Sequence, residues 1–209
     1  MARLIDISVP IYPGMLIWPS DPPVAVERAA DMAQGAHVNL TKVSFGVHTG
    51  SHLDAPLHFE ADGASIDDLP LDLFIGPARV VHVTADRIGP EHAAGLAGVE
   101  RVLFRTRNSD WWAAGDTSFH PDFVYLTAEA GAALADLGVR LVGLDYLSID
   151  KPKGGGAAHH ALLGRGIAAL ETINLAGVEP GDYELICLPL RLVGAEGSPV
   201  RAILRQGEP

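Results

Sequence analysis

Short stretches of alternating or β-branched residues dominate the chain and predict strands more often than helices. Residues 3–10 and 40–47 have this character, the second reading polar, apolar, polar, apolar through Lys42-Val43-Ser44-Phe45. Three apolar runs bounded by Gly or charge, at 78–83, 101–105 and 140–144, predict buried strands. Near the end, 183–193 and 200–204 return to strand across the turn-rich segment 194–199, and Pro189 predicts an edge or a bulge. Helical spacing is scarcer. It predicts helices over 90–96, over 127–137 with Thr127 as cap and Glu129 in the first turn, and over 161–170, where Gly164 and Gly166 interrupt.

Mixed strands with few scattered helices predict one β-rich α/β domain spanning 1–209, without the regular βαβ alternation of a doubly wound sheet. No internal repeat, low-complexity tract or charge block interrupts it. The 23 Gly and 15 Pro predict long, shaped loops between the strands.

Composition adds constraints on chemistry. With 209 residues, 48% apolar and 20% charged, the chain can bury a core without disulfides or a structural metal, so any metal site has to be functional. The one cysteine, Cys187, sits in the apolar run Leu185-Ile186-Cys187-Leu188 and reads as core filling. Fifteen Lys and Arg against 26 Asp and Glu give a net charge of −11, which repels a polyanion and argues against a nucleic-acid partner. The first residues reach Asp6 without a signal-like apolar stretch, and no apolar run approaches the ~20 residues of a membrane span. A soluble, cytoplasmic protein with no membrane partner is expected.

The densest chemistry lies in His48-Thr49-Gly50-Ser51-His52-Leu53-Asp54-Ala55-Pro56-Leu57-His58. His48, His52, Asp54 and His58 all occupy even positions and would share one face of an extended segment. A helix would turn Asp54 away from His52, and Pro56 would break it. On a straight strand His48 would stand about 13 Å from His52, so joint ligation requires a bend, which Gly50 permits. Imidazole plus carboxylate suits zinc, with manganese or iron as alternatives, and leaves coordination positions open for catalysis. His58 stands beyond the ligands as a candidate proton carrier. A second cluster follows downstream, with His159-His160 after the glycine loop 154–156 and then Glu171.

The 48–58 segment resembles the signature of the metal-dependent cyclase-like hydrolases, among which are the bacterial kynurenine formamidases. Further similarity lies in Trp18-Pro19-Ser20-Asp21, in Phe59 with Asp62-Gly63, in His159-His160 with Glu171, and in Ser198-Pro199-Val200-Arg201. The resemblance implies a swivelling β/β/α fold and a centre of two Zn2+ ions per subunit, with Mn2+ as the alternative. His48, His52 and Asp54 would hold one ion, and Asp54 would bridge to a second held with His159 and Glu171. Of the adjacent pair the resemblance favours His159, whose twelve-residue separation from Glu171 matches the family pattern. His58 would be the general acid and base, and Trp18 would stack on an aromatic substrate. The implied activity is hydrolysis of N-formylkynurenine or a related aryl formamide to formate and the free amine. The alternatives are ring opening of a cyclic amide such as isatin or, in another class, noncatalytic metal binding. A homodimer or larger homo-oligomer is also implied. Ser51 stands where the family often has Thr, which keeps the hydroxyl. The segments 105–112 and 144–150 look closer to the broad cyclase-like group, and Arg105 and Arg107 are candidates for a substrate carboxylate.

Overall fold

The computed structural model describes residues 3–207. In chain order its strands are β1 (Arg3–Asp6), β2 (Ala25–Ala30), β3 (Leu40–Ser44), β4 (His52–Asp54), β5 (Ile75–His82), β6 (Arg87–Ile88), β7 (Arg101–Arg105), β8 (Tyr125–Leu126), β9 (Leu141–Leu144), β10 (Ala168–Glu171), β11 (Gly181–Ile186), β12 (Gly197–Pro199) and β13 (Ile203–Gln206). The helices are α1 (Asn108–Ala114), α2 (Ala128–Asp136) and α3 (Ala157–Leu163). Nine strands form one mixed sheet in the order β1-β13-β11-β5-β7-β9-β10-β4-β12. Strands β5, β7, β9 and β10 run parallel at its centre, and both flanks are antiparallel.

Successive side chains of the central strands divide between two cores, as the period of a strand dictates. Leu103, Leu141, Ala168 and Leu170 face one core, whereas Val102, Phe104, Val142 and Ala169 face the other. The first core also holds Leu204 of β13 and Leu53 of β4, which lie toward opposite ends of the strand order. The sheet is therefore curled around it. Backbone hydrogen bonds fasten the curl, Ile7 N–H donating to Ala202 O at 3.0 Å and Asn174 N–H to Ile7 O at 2.8 Å. The second core lies under α2 and α3, where Ala130, Leu134, Ala158 and Leu162 cover the outer face. Each large apolar side chain fully buried this way contributes about 1.5–3 kcal/mol.

The strand at 101–105 and the helix capped by Thr127 stand as the sequence predicts, the Thr127 hydroxyl accepting from Ala130 N–H at 3.2 Å. Cys187 is buried, and burial pushes its thiol up to about 12. Other elements differ. The helix expected over 161–170 is instead α3 followed by β10, because Ala168–Glu171 is buried on both faces between β9 and β4, an environment only a central strand occupies. The segment read as a turn at 194–199 contains β12, which pairs with β4 despite its Gly-Ser-Pro composition. The expected helix over 90–96 is a single tight turn, Pro90–Ala93. The strand expected over 183–193 ends at Ile186, and Pro189 makes only an isolated bridge to Val200. The strand at 40–47 is β3, paired only with β2 in an exposed hairpin.

Candidate metal centre

Strand β4 is three residues long and completely buried, and alternation sends Leu53 into the core while His52 and Asp54 share the other face. Antiparallel pairing sets Glu171 of β10 opposite His52. His159 comes from α3, and His58 ends a tight turn, Pro56–His58, just beyond β4. His48 precedes the strand, and Gly50 at φ +66 supplies the expected bend, so the rings of His48 and His52 meet edge to face with centroids 5.1 Å apart. Ser51 ties the segment down: its hydroxyl accepts from Val9 N–H at 2.8 Å and donates to Thr172 O at 2.5 Å. Thr172, buried directly after Glu171, is held at φ +57. Such a conformation in a β-branched residue costs on the order of 1–3 kcal/mol, and it persists here beside the site.

The two carboxylates lie between the imidazoles. Asp54 Oδ1 is 2.7 Å from His48 Nδ1 and 3.4 Å from His52 Nε2, while Asp54 Oδ2 is 3.5 Å from His159 Nε2. Glu171 likewise offers Oε2 to His52 Nε2 at 3.4 Å and Oε1 to His159 Nε2 at 3.1 Å. Ligand atoms of His48, Asp54 and His58 fall within 4.8 Å of one another, as do those of His52, Asp54 and Glu171, so Asp54 belongs to both groups. The far nitrogens are held from behind. His52 Nδ1 contacts Gly50 O at 2.8 Å, and His159 Nδ1 contacts Asp150 Oδ2 at 3.2 Å. These outer contacts leave both Nε2 atoms turned toward the carboxylates, the arrangement seen in metal-ligating histidines.

Electrostatics also suits a cation. Burial opposes ionisation of Asp54, but the facing imidazoles of His159, His48 and His52 outweigh it and hold the carboxyl well below its usual range. Burial and the charge of Asp54 push Glu171 up, yet bonds from His159 and His52 leave it lowered. The same pairs overcome burial at the imidazoles, raising His52 to about 10 and His159 well above its ordinary value. Imidazolium charge thus balances buried carboxylates where a divalent ion would otherwise do so. Asp54 Oδ2 and His48 Nε2 are buried without a hydrogen-bond partner, as lone pairs awaiting a cation would be. The nitrogen and carboxylate donors fit a borderline-soft divalent ion such as zinc.

A cavity of about 340 Å3 opens over this cluster, and Trp18, Phe59, His58 and the loop 153–156 contribute to its lining. Trp18 is therefore on the site, its ring edge-on to Phe119 at 5.5 Å. His160, one position past His159 on α3, points away and bonds Glu60 at 2.9 Å. Arg105 and Arg107 do not line the cavity. Arg105 donates to Val178 O, and Arg107 pairs with Asp86 and donates to Asp122 O. Two contributors escaped the sequence reading of the site. Asp150 accepts from Ala158 N–H and His159 N–H at the start of α3 as well as facing the His159 ring, and an acid before a glycine loop that opens a helix was its signal. Phe59 stacks on the His159 ring with centroids 4.2 Å apart and planes 9° from parallel, which only the fold brings about.

A family profile described as Putative cyclase matches residues 5–151. The kynurenine formamidase of Salinibacter ruber is 45% identical over 212 residues, covering 97% of each chain. That of Bacillus cytotoxicus is 43% identical over 206 residues, covering 96% of each. Among solved structures, a potential metal-dependent hydrolase with cyclase activity superposes with a TM-score of 0.84 at 32% identity, over 100% of both chains. Isatin hydrolase A of Labrenzia aggregata shares the fold, with a TM-score of 0.82 at 24% identity over 99% of this chain and 94% of that one. With the profile match covering most of its length and these relatives covering nearly all of it, the chain belongs to the cyclase family.

Proposed function

We propose that the chain is a metal-dependent hydrolase of carbon–nitrogen bonds, an arylformamidase that converts N-formylkynurenine or a related aryl formamide to formate and the free amine. The observation that carries this reading is Asp54, a buried carboxylate common to two groups of ligand atoms and offering one oxygen to His48 and His52 and the other to His159. His48, His52 and Asp54 would hold one Zn2+, and Asp54, His159 and Glu171 a second, with Mn2+ as the alternative. Such ions, when bound, would supply activated water at neutral pH and a Lewis acid for the formyl oxygen.

The chain's own groups do the rest. Asp150 and the Gly50 carbonyl fix the orientation of His159 and His52. His58 is partly buried, and burial lowers its pKa, so it is neutral and able to take a proton near neutral pH. It accepts the proton released as water adds to the formyl carbon and delivers it to the aryl nitrogen as the carbon–nitrogen bond breaks. Trp18 supplies a ring face for the aryl group. This reading places the enzyme in the cytoplasm, in tryptophan catabolism.

A homodimer or larger homo-oligomer is part of the proposal. On the β2–β3 hairpin Val26 and Val43 are paired across the strands and are 46% and 54% exposed, and Leu40 is 57% exposed. A lone two-stranded hairpin is marginally stable in water, and an apolar one calls for a cover. Val43→Asp should lower the mass measured by light scattering.

The function is tested by metal analysis of the purified protein together with turnover of aryl formamides, isatin and lactones. Stoichiometric metal with formamide hydrolysis is expected. Bound metal without turnover of any of them would favour a binding protein, and turnover of isatin alone would favour ring opening.

A further inference from the structure

The floor of the cavity is the carboxylate–imidazole cluster, but two segments far apart in sequence add charges to its rim that this chemistry does not use. One contributes Asp21 beside Trp18, in a turn closed by Asp21 N–H donating to Trp18 O at 2.9 Å. The other is the loop that carries Lys151 and Lys153. Among the described residues that line the cavity, these two lysines are the only fixed cations.

Asp21 is partly buried, and burial raises its carboxyl pKa against the attraction of His48, His52 and His58. No Lys or Arg ion pair engages it among the described residues, although a partly desolvated carboxylate gains from a cation. Lys151 and Lys153 are exposed and likewise carry no carboxylate partner, the Lys151 ammonium lying 5.9 Å from the Tyr125 ring centroid. The cavity therefore combines an aromatic wall, an unpaired anion and two unpaired cations, beside a site proposed to cleave an aryl formamide. A neutral lactam would use none of the three charges.

We propose that this rim binds the α-amino-acid end of the substrate, Asp21 taking the α-ammonium and Lys151 with Lys153 the α-carboxylate, while Trp18 takes the aryl ring. The proposal rests on the arylformamidase reading and assigns Asp21, Lys151 and Lys153 as the residues that select the amino-acid end of such a substrate.

The test measures binding as well as turnover. Calorimetry on the metal-loaded protein compares L-kynurenine, which keeps the amino-acid end of the product, with 2-aminoacetophenone, the same aminoaryl ketone without it. L-Kynurenine should bind at least about tenfold more tightly, the scale of one hydrogen-bonded charge pair. Asp21→Asn should remove most of that advantage. The double variant Lys151→Ala/Lys153→Ala should reduce it a few-fold, less so as salt rises, because these pairs are exposed. Neither change should alter binding of 2-aminoacetophenone. Equal binding of the two ligands by the unaltered protein, or a preference that survives both changes, overturns the proposal. Hydrolysis of N-formylkynurenine is scored separately. A protein that hydrolyses it without preferring the amino-acid end keeps the formamidase reading and loses this one. A protein that shows the preference but no hydrolysis does the reverse.

Discussion

Gly156, at the end of the 150–156 loop, packs against Phe59, and Gly156→Ala tests how rigidly the site is built. Its φ is +77, and a Cβ there would come within 2.7 Å of Phe59 Cδ1 and closer still to Cε1. The left-handed backbone costs a non-glycine residue about 1–2 kcal/mol. Forcing a methyl group into a filled space adds about 1–3 kcal/mol, for a total of about 2–5 kcal/mol. Phe59 has little room to retreat, because it is stacked on His159, itself held by Asp150 at 3.2 Å. Relief comes either from lifting the loop or from tilting Phe59 and His159 together. Tilting moves His159 Nε2 away from Asp54 and Glu171, and disturbance of such supporting contacts typically costs about 10–100-fold in metal affinity.

Urea denaturation and competition titration with a chromophoric chelator read the two effects separately. Gly155→Ala is the control, since Gly155 has φ +72 and nothing within 4 Å of a Cβ. It should lose only the conformational part, about 1–2 kcal/mol, with metal affinity unchanged. If Gly156→Ala matches Gly155→Ala in both measurements, the approach to Phe59 does not constrain the site and the reasoning fails.

Asp54→Ala should release most bound metal and abolish turnover, whereas His48→Ala should mainly empty one position; mass spectrometry that finds full metal in the Asp54 variant would remove its bridging role. His58→Ala should keep its metal and lose catalysis, and metal loss in that variant would make His58 a ligand, as its closeness to His48 and Asp54 allows. The metal-free protein should respond to pH through His52, raised from 6.5 to about 10. A raised imidazole stabilises the fold fully below the unfolded value and loses that contribution as pH climbs through about 10, so the Tm of the metal-free protein should fall over this window. Metal needs the deprotonated ring, so affinity should rise over the same window, and added zinc should shift the acid limb of activity to lower pH. A Tm flat across the window would contradict the pairing of His52 with Asp54 and Glu171.

What the sequence determined by itself was the chemistry that is local along the chain. His52 and Asp54 share a face because strand side chains alternate, and Gly50 bends the backbone because it can take a positive φ; both follow from a few consecutive residues. Thr127 starts its helix for equally local reasons. Local pattern showed the second half of the site only as residue types, and it was the family resemblance that singled out His159 and Glu171. His159 and His160 are neighbours on a helix, where consecutive side chains diverge, and the packing of α3 decides that His159 faces Asp54 while His160 meets Glu60. Tertiary structure also decided that Ala168–Glu171 is a strand and that Gly197–Pro199 pairs with β4. Neither segment has the composition of its element; each is held by hydrogen bonds to strands distant in sequence, which no local pattern encodes. The same long-range closure brings Phe59, Asp150, Asp21 and Lys153 around one cavity, because curling a nine-stranded sheet joins loops from both halves of the chain.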